Sequence, residues 1–220
     1  MTGMVTFKVD DRQVPGYLAL PEQGTGPGVL VLHAWWGLND IFKGVCERLA
    51  QAGFVAFAPD LYQDGRVAKT IAEAEQLRDS LDEGKTYQNI MGAISYLQAQ
   101  EKTRGESIGA IGFSLGSAWG LLLEDPATAI VTFYGLSDAE KVTANAAFLG
   151  HFAEHDEYES AEYMQFFEES LRTRGKEVKF HLYPGTRHWF FEEDRPEYDA
   201  QAAQLAWERT ISFLNQHLQG

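Results

Sequence analysis

Short blocks rich in apolar and β-branched residues alternate along this chain with longer stretches whose apolar positions recur at helical spacing. The blocks predict eight strands. Met4 to Val9 and Gly16 to Leu20 form an antiparallel opening pair about the Asp10-Asp11 turn. Gly28 to His33, Phe54 to Pro59, Ser107 to Phe113, Ala129 to Tyr134, Ala146 to Ala153 and Val178 to Tyr183 follow. Gly28 to His33 is the first fully apolar run, as a strand covered on both faces requires. Six helices fill the intervals: Ile41 to Gln51, Ile71 to Leu81, Tyr87 to Gln100, Ser114 to Leu123, Ser160 to Thr173 and Pro196 to Leu218. Residues 60 to 70 carry no clear pattern and predict a loop over one rim. The later intervals are long enough for crossovers, so the pattern predicts an α/β fold with a mostly parallel eight-stranded sheet and helices on both faces. With 220 residues and no repeat, low-complexity tract or linker, a single domain over 1–220 is expected.

The formal net charge of -14 at pH 7 argues against nucleic acid as a partner, because phosphate contacts need clustered Lys and Arg, and the chain has no such patch. The first residues lack a basic region followed by an apolar block, and no apolar run approaches membrane-spanning length. A cytoplasmic protein without a membrane partner is the expectation. The single cysteine, Cys46, excludes an internal disulfide and falls in a helical pattern as a buried structural thiol. No metal or organic cofactor is implied, and the chain leaves monomer and small homo-oligomer open.

The chemistry concentrates at Ser107-Ile108-Gly109-Ala110-Ile111-Gly112-Phe113-Ser114-Leu115-Gly116-Ser117, an apolar strand driven into a small-residue turn around one serine. A serine at a tight strand-to-helix turn sits in a strained backbone conformation, so the positions two before and two after it must be nearly free of side chain. Gly112 and Gly116 meet that demand. Such a turn exposes the Ser114 hydroxyl above the sheet, where the next helix directs its N-terminal N–H groups.

Ligand sites in this architecture lie beyond the C-terminal ends of strands, so a base and an acid should follow strands. His188 does, reached from Val178 to Tyr183 through the turn Pro184-Gly185-Thr186-Arg187. His151, His155, His181 and His217 read as packed or surface histidines. Asp156 follows the next-to-last strand and stands between serine and histidine in the chain. There its carboxylate can hold the imidazole in the productive tautomer. Glu154, Glu157 and Asp138 read more simply as solvated loop carboxylates, and Asp194 comes after His188, out of order.

The order Ser114, Asp156, His188 is that of the α/β-hydrolases. Within that superfamily the chain resembles the dienelactone hydrolase family over nearly its whole length. The resemblance rests on Val31-Leu32-His33-Ala34-Trp35-Trp36-Gly37-Leu38-Asn39, Phe54-Val55-Ala56-Phe57-Ala58-Pro59-Asp60-Leu61-Tyr62, the elbow, His155-Asp156 and Tyr183-Pro184-Gly185-Thr186-Arg187-His188. It implies an α/β-hydrolase fold without a large lid domain. It also implies an oxyanion hole from the backbone N–H groups of Trp35 and Leu115, with His33 and Trp36 shaping the loop and pocket wall. Trp35 and Trp36 are equally open to a reading as core aromatics.

Three departures bear on substrate. The family's nucleophile is a cysteine and here is Ser114, and its acidic residue beside the oxyanion loop falls at Ala34. The arginine it implies after the histidine is replaced by Trp189-Phe190-Phe191-Glu192, where Glu192 is expected to repel an anion. Arg78 or Arg66 remains as a positive partner or as an ordinary surface arginine. Phe113, Trp119, Trp189, Phe190 and Phe191 suggest an apolar acyl site, some of them necessarily core. The expected activity is hydrolysis of small carboxylic esters or lactones through an acyl-enzyme. Thioester, amide or peptide hydrolysis by the same triad, or a non-catalytic binding protein on this fold, are the alternatives.

Overall fold

Asp10, with φ +53°, turns the chain between β1 (Gly3–Val9) and β2 (Arg12–Ala19), which pair antiparallel from Val9 opposite Arg12 to Gly3 opposite Leu18. The computed structural model describes residues 2–218 and falls into two compact units, Met1–Ile108 and Gly109–Gly220. In the first, β3 (Gly26–Leu32) is buried throughout and pairs parallel with β4 (Val55–Pro59), whose other edge takes β2 antiparallel. Between β3 and β4 lies α1 (Asp40–Gln51). Its N-cap Asn39 accepts from the Ile41 and Phe42 N–H groups, and Phe42, Val45, Cys46 and Leu49 form its buried stripe. Cys46 is fully buried, and burial pushes its thiol up.

Two helices follow, α2 (Ile71–Asp79) and α3 (Glu83–Gln98). A capping box between Thr70 and Glu73 starts α2, and Asp82 accepts from the Lys85 N–H to start α3. The helix expected at Tyr87 thus begins four residues earlier, because Asp82 caps it. Likewise β5 (Thr103–Phe113) starts before Ser107. Its first half is largely exposed and lacks the apolar signal that marks the second.

The second unit continues from β5 through α4 (Leu115–Leu121), β6 (Ala127–Phe133), β7 (Ala147–His155), α5 (Ala161–Thr173), β8 (Val178–Arg187) and α6 (Ala200–Leu218). β7 pairs parallel with both β6 and β8. The expected turn at 184–187 is instead the end of β8, carried past a register shift between Ala153 and His155, with the Gly185 N–H donating to Glu154 Oε2 at 2.7 Å. α6 begins at Ala200 and not Pro196, since the Asp199 carboxylate accepts from the Ala202 N–H. The eight strands form one mostly parallel sheet in the order β1-β2-β4-β3-β5-β6-β7-β8.

Candidate active site

Ser114 sits between β5 and α4 with φ +49° and ψ -110°, a backbone state that costs a non-glycine residue on the order of 1–3 kcal/mol. The surroundings enforce it. A Cβ at Gly112 would stand 2.5 Å from the Gly116 carbonyl oxygen, and one at Gly135 would strike the Ser114 carbonyl. The Ser114 N–H donates to the Phe133 carbonyl at 2.9 Å, and the Ser117 hydroxyl reaches the Gly112 carbonyl at 2.8 Å. These contacts leave the Ser114 hydroxyl, not its backbone, as the group presented outward.

His188 follows the last residue of β8, and its Nε2 lies 3.0 Å from Ser114 Oγ. Its Nδ1 lies 2.9 and 2.8 Å from the two Asp156 oxygens. A carboxylate only accepts, so the ring proton belongs on Nδ1, and Nε2 faces the hydroxyl as a lone pair. Asp156 directly follows β7. Its Oδ1 also accepts from the Tyr158 and Glu159 N–H groups at 2.9 and 3.0 Å, which fixes the carboxylate in a turn. Both side chains of the pair are at most 5 % exposed, so little water competes for these contacts.

The rivals are occupied elsewhere. Glu154 holds the Gly185 N–H, Asp138 caps the short helical turn at 139–141, and Asp194 pairs with Arg195. His151 is buried between Tyr183 and Thr210, and His155 is exposed beside Glu154.

Sequence patterns did not mark three neighbours of this constellation. The Tyr158 ring lies 4.7 Å from the His188 ring and 5.4 Å from that of Trp189, and these three border a crevice of about 50 Å³ together with Arg187. Glu159 accepts from the Leu136 N–H, and burial pushes its carboxyl up to about 7. Tyr134, also at positive φ, packs its ring 4.8 Å from that of His188 and donates its hydroxyl to Glu192 Oε1 at 2.8 Å.

That last contact corrects the expectation for Glu192. Its side chain is fully buried and does not face ligand, and burial pushes its carboxyl up to about 8, so it stays mostly neutral at pH 7. Phe113 is corrected in the same way. It is fully buried, 4.7 Å from the Phe133 ring and 5.4 Å from that of Phe191, and belongs to the core with Phe190.

A carboxyl whose folded pKa lies above its unfolded one binds more protons when folded, so its share of stability is present at low pH and lost as pH rises through about 8. Glu192→Gln is therefore expected to overtake the wild type in stability between pH 5 and 8.5, by on the order of 3 kcal/mol at the upper end. Calorimetry of both proteins across that range checks it. Parallel curves would dismiss the buried-acid account.

In the first unit the loop after β3 is tied to the segment after β4. His33, fully buried, accepts the Leu61 N–H on Nε2 at 3.0 Å and donates from Nδ1 to the Ala34 carbonyl at 2.7 Å; burial lowers its pKa and keeps it neutral. The Tyr62 hydroxyl donates to the Trp35 carbonyl at 2.8 Å, and the Ala68 N–H donates to the Trp36 carbonyl. Gly37, at φ +94°, admits the Arg66 carbonyl where a Cβ would clash. Trp36 is 1 % exposed, which leaves its ring in the core. Arg78 places its guanidinium 5.8 Å from the Trp35 ring centroid while pairing with Asp79, and Arg66 pairs with Asp64.

Residues 14–218 match the dienelactone hydrolase family. The chain belongs to that family. It is similar to "Protein usf" of Aquifex pyrophilus, 34% identical over 99% of this chain and 100% of that one. It is also similar to a putative carboxymethylenebutenolidase of Aquifex aeolicus, 29% identical over the same shares. A putative dienelactone hydrolase structure from Klebsiella pneumoniae superposes with a TM-score of 0.89 at 21% identity, covering 99% of each chain, and shows the α/β-hydrolase fold. This dienelactone hydrolase family member is a carboxylic ester hydrolase. Among its described residues no helix is long and apolar enough to cross a membrane.

Proposed function

We propose that this protein hydrolyses small carboxylic esters and lactones by a serine acyl-enzyme route. The reading rests on the continuous contact chain from Ser114 Oγ through His188 to Asp156. As Oγ bonds to the ester carbonyl carbon, His188 Nε2 takes its proton, and the imidazolium gains stability from Asp156 across Nδ1. The carbonyl oxygen becomes an oxyanion. The Leu115 N–H, next to the nucleophile in the chain, is a donor to it. Collapse breaks the bond to the leaving alkoxide, which receives the proton from His188. Water then repeats the sequence, with His188 as base, and releases the acid.

A hydroxyl cannot be held as an anion by its surroundings as a thiol can, so Ser114 needs the base within hydrogen-bond reach during attack. That requirement fits alanine at position 34 in place of the family's acidic residue. With Glu192 buried and neutral, the argument against an anionic substrate falls away, and dienelactone, which gives the family its name, becomes a fitting candidate. A fluorophosphonate probe, followed by peptide mass mapping, is expected to add one phosphonyl group to Ser114. A folded protein that gains no adduct, or gains it elsewhere, overturns the reading. Comparing dienelactone with a neutral ester of equal size then ranks the substrates.

A further inference from the structure

Within the first unit, a cavity of about 240 Å³ lies among the start of β2, residues 61–66 and the α2–α3 junction, and it is lined by Arg12, Arg66 and Lys85. Three cations here stand out on a chain of net charge -14, and although Arg66 already pairs with Asp64, Arg12 and Lys85 remain. Asp82, the acidic residue of the lining, already spends one oxygen on the Lys85 N–H as the α3 cap. Arg12 donates from Nη1 to Gln63 Oε1 at 3.1 Å, while its Nη2 is buried and has no partner.

A second observation comes from α3. Thr86 and Asn89 are 1 % and 0 % exposed, and the Thr86 hydroxyl and both Asn89 amide atoms lack partners. Positions 82, 85, 86 and 89 fall on one helix face, and the cap Asp82 and the α3 residue Lys85 belong to the cavity wall. Buried donors without acceptors are costly, and in native proteins such groups have a reason.

We propose that this cavity is a binding site for a phosphate-sized oxyanion, free or carried by a small metabolite. Arg12 Nη2 and Lys85 Nζ supply charge-assisted donors, and the guanidinium edge matches the paired oxygens of phosphate or carboxylate. The volume lies below the range of about 300–1,000 Å³ usual for drug-sized ligands, which restricts the occupant to a small molecule. Tyr62 forms part of the wall and holds the Trp35 carbonyl, so the site backs directly onto the oxyanion loop.

Isothermal titration of the full chain with inorganic phosphate and with phenyl phosphate, at low ionic strength, tests the proposal. One saturable site is expected for at least one probe, weakened about tenfold or more in both Arg12→Gln and Lys85→Ala. Lys85 is exposed, so its variant keeps the test valid should the Arg12 variant fail to fold. Tighter binding of phenyl phosphate indicates a carried phosphate, and equal or tighter binding of inorganic phosphate a free one; both support the site. Absence of saturable binding, or affinity unchanged in Lys85→Ala, overturns it. Neither result bears on ester hydrolysis, so this proposal and the acyl-enzyme reading stand or fall separately.

Discussion

Ser114→Ala is expected to lower kcat for a short activated aryl ester by roughly 10⁴- to 10⁶-fold while leaving the fold intact. The side chain contributes one hydrogen bond, to His188 Nε2, and no buried apolar surface, so its loss removes the proposed nucleophile and little else. The strained backbone at φ +49° is set by the close approaches around Gly112 and Gly135, which alanine leaves unchanged. The thermal midpoint should therefore stay within a few degrees. Binding and oxyanion donors survive in the variant and account for any residual rate above water. Steady-state assay beside a melting curve makes the measurement, and turnover near the wild-type rate would point to another nucleophile.

Asp156→Asn should cost about 10⁴-fold in kcat with KM nearly unchanged. Asparagine keeps a carbonyl oxygen for the Tyr158 and Glu159 N–H groups, so the turn survives. Its NH₂, a donor, then faces His188 Nδ1, also a donor in the working tautomer. The ring resolves the conflict by moving its proton to Nε2, and the lone pair that must receive the Ser114 proton is gone. A downfield proton resonance from the Nδ1–Asp156 contact, present in wild type, should vanish with it. Loss of less than tenfold in kcat would show that Asp156 does not hold the imidazole.

The candidate constellation was legible because it is written locally. The elbow needs glycine at fixed offsets, and the order Ser114, Asp156, His188 follows from which strand ends can reach one rim. Element types were legible for the same reason, whereas boundaries moved wherever a single polar side chain decided them, as Asp82 and Asp199 do. Burial was the poorly legible quantity. Phe113 adjoins Ser114 and Glu192 lies four positions after His188, yet only tertiary packing shows that both face the core. Tyr134 was hidden because its role depends on residue 192, far along the chain.

Asp156 and His188 leave the sheet from β7 and β8, which are hydrogen-bonded neighbours whose pairing runs to His155 opposite Arg187. The gap between the two groups is thus set mainly by interstrand spacing, a nearly invariant quantity of about 4.8 Å, rather than by a loop's wandering. Warming that agitates the surface while this ladder holds should leave the proton relay aligned. Inactivation by heat then tracks the parting of the two strands, not the earlier loosening of the rim.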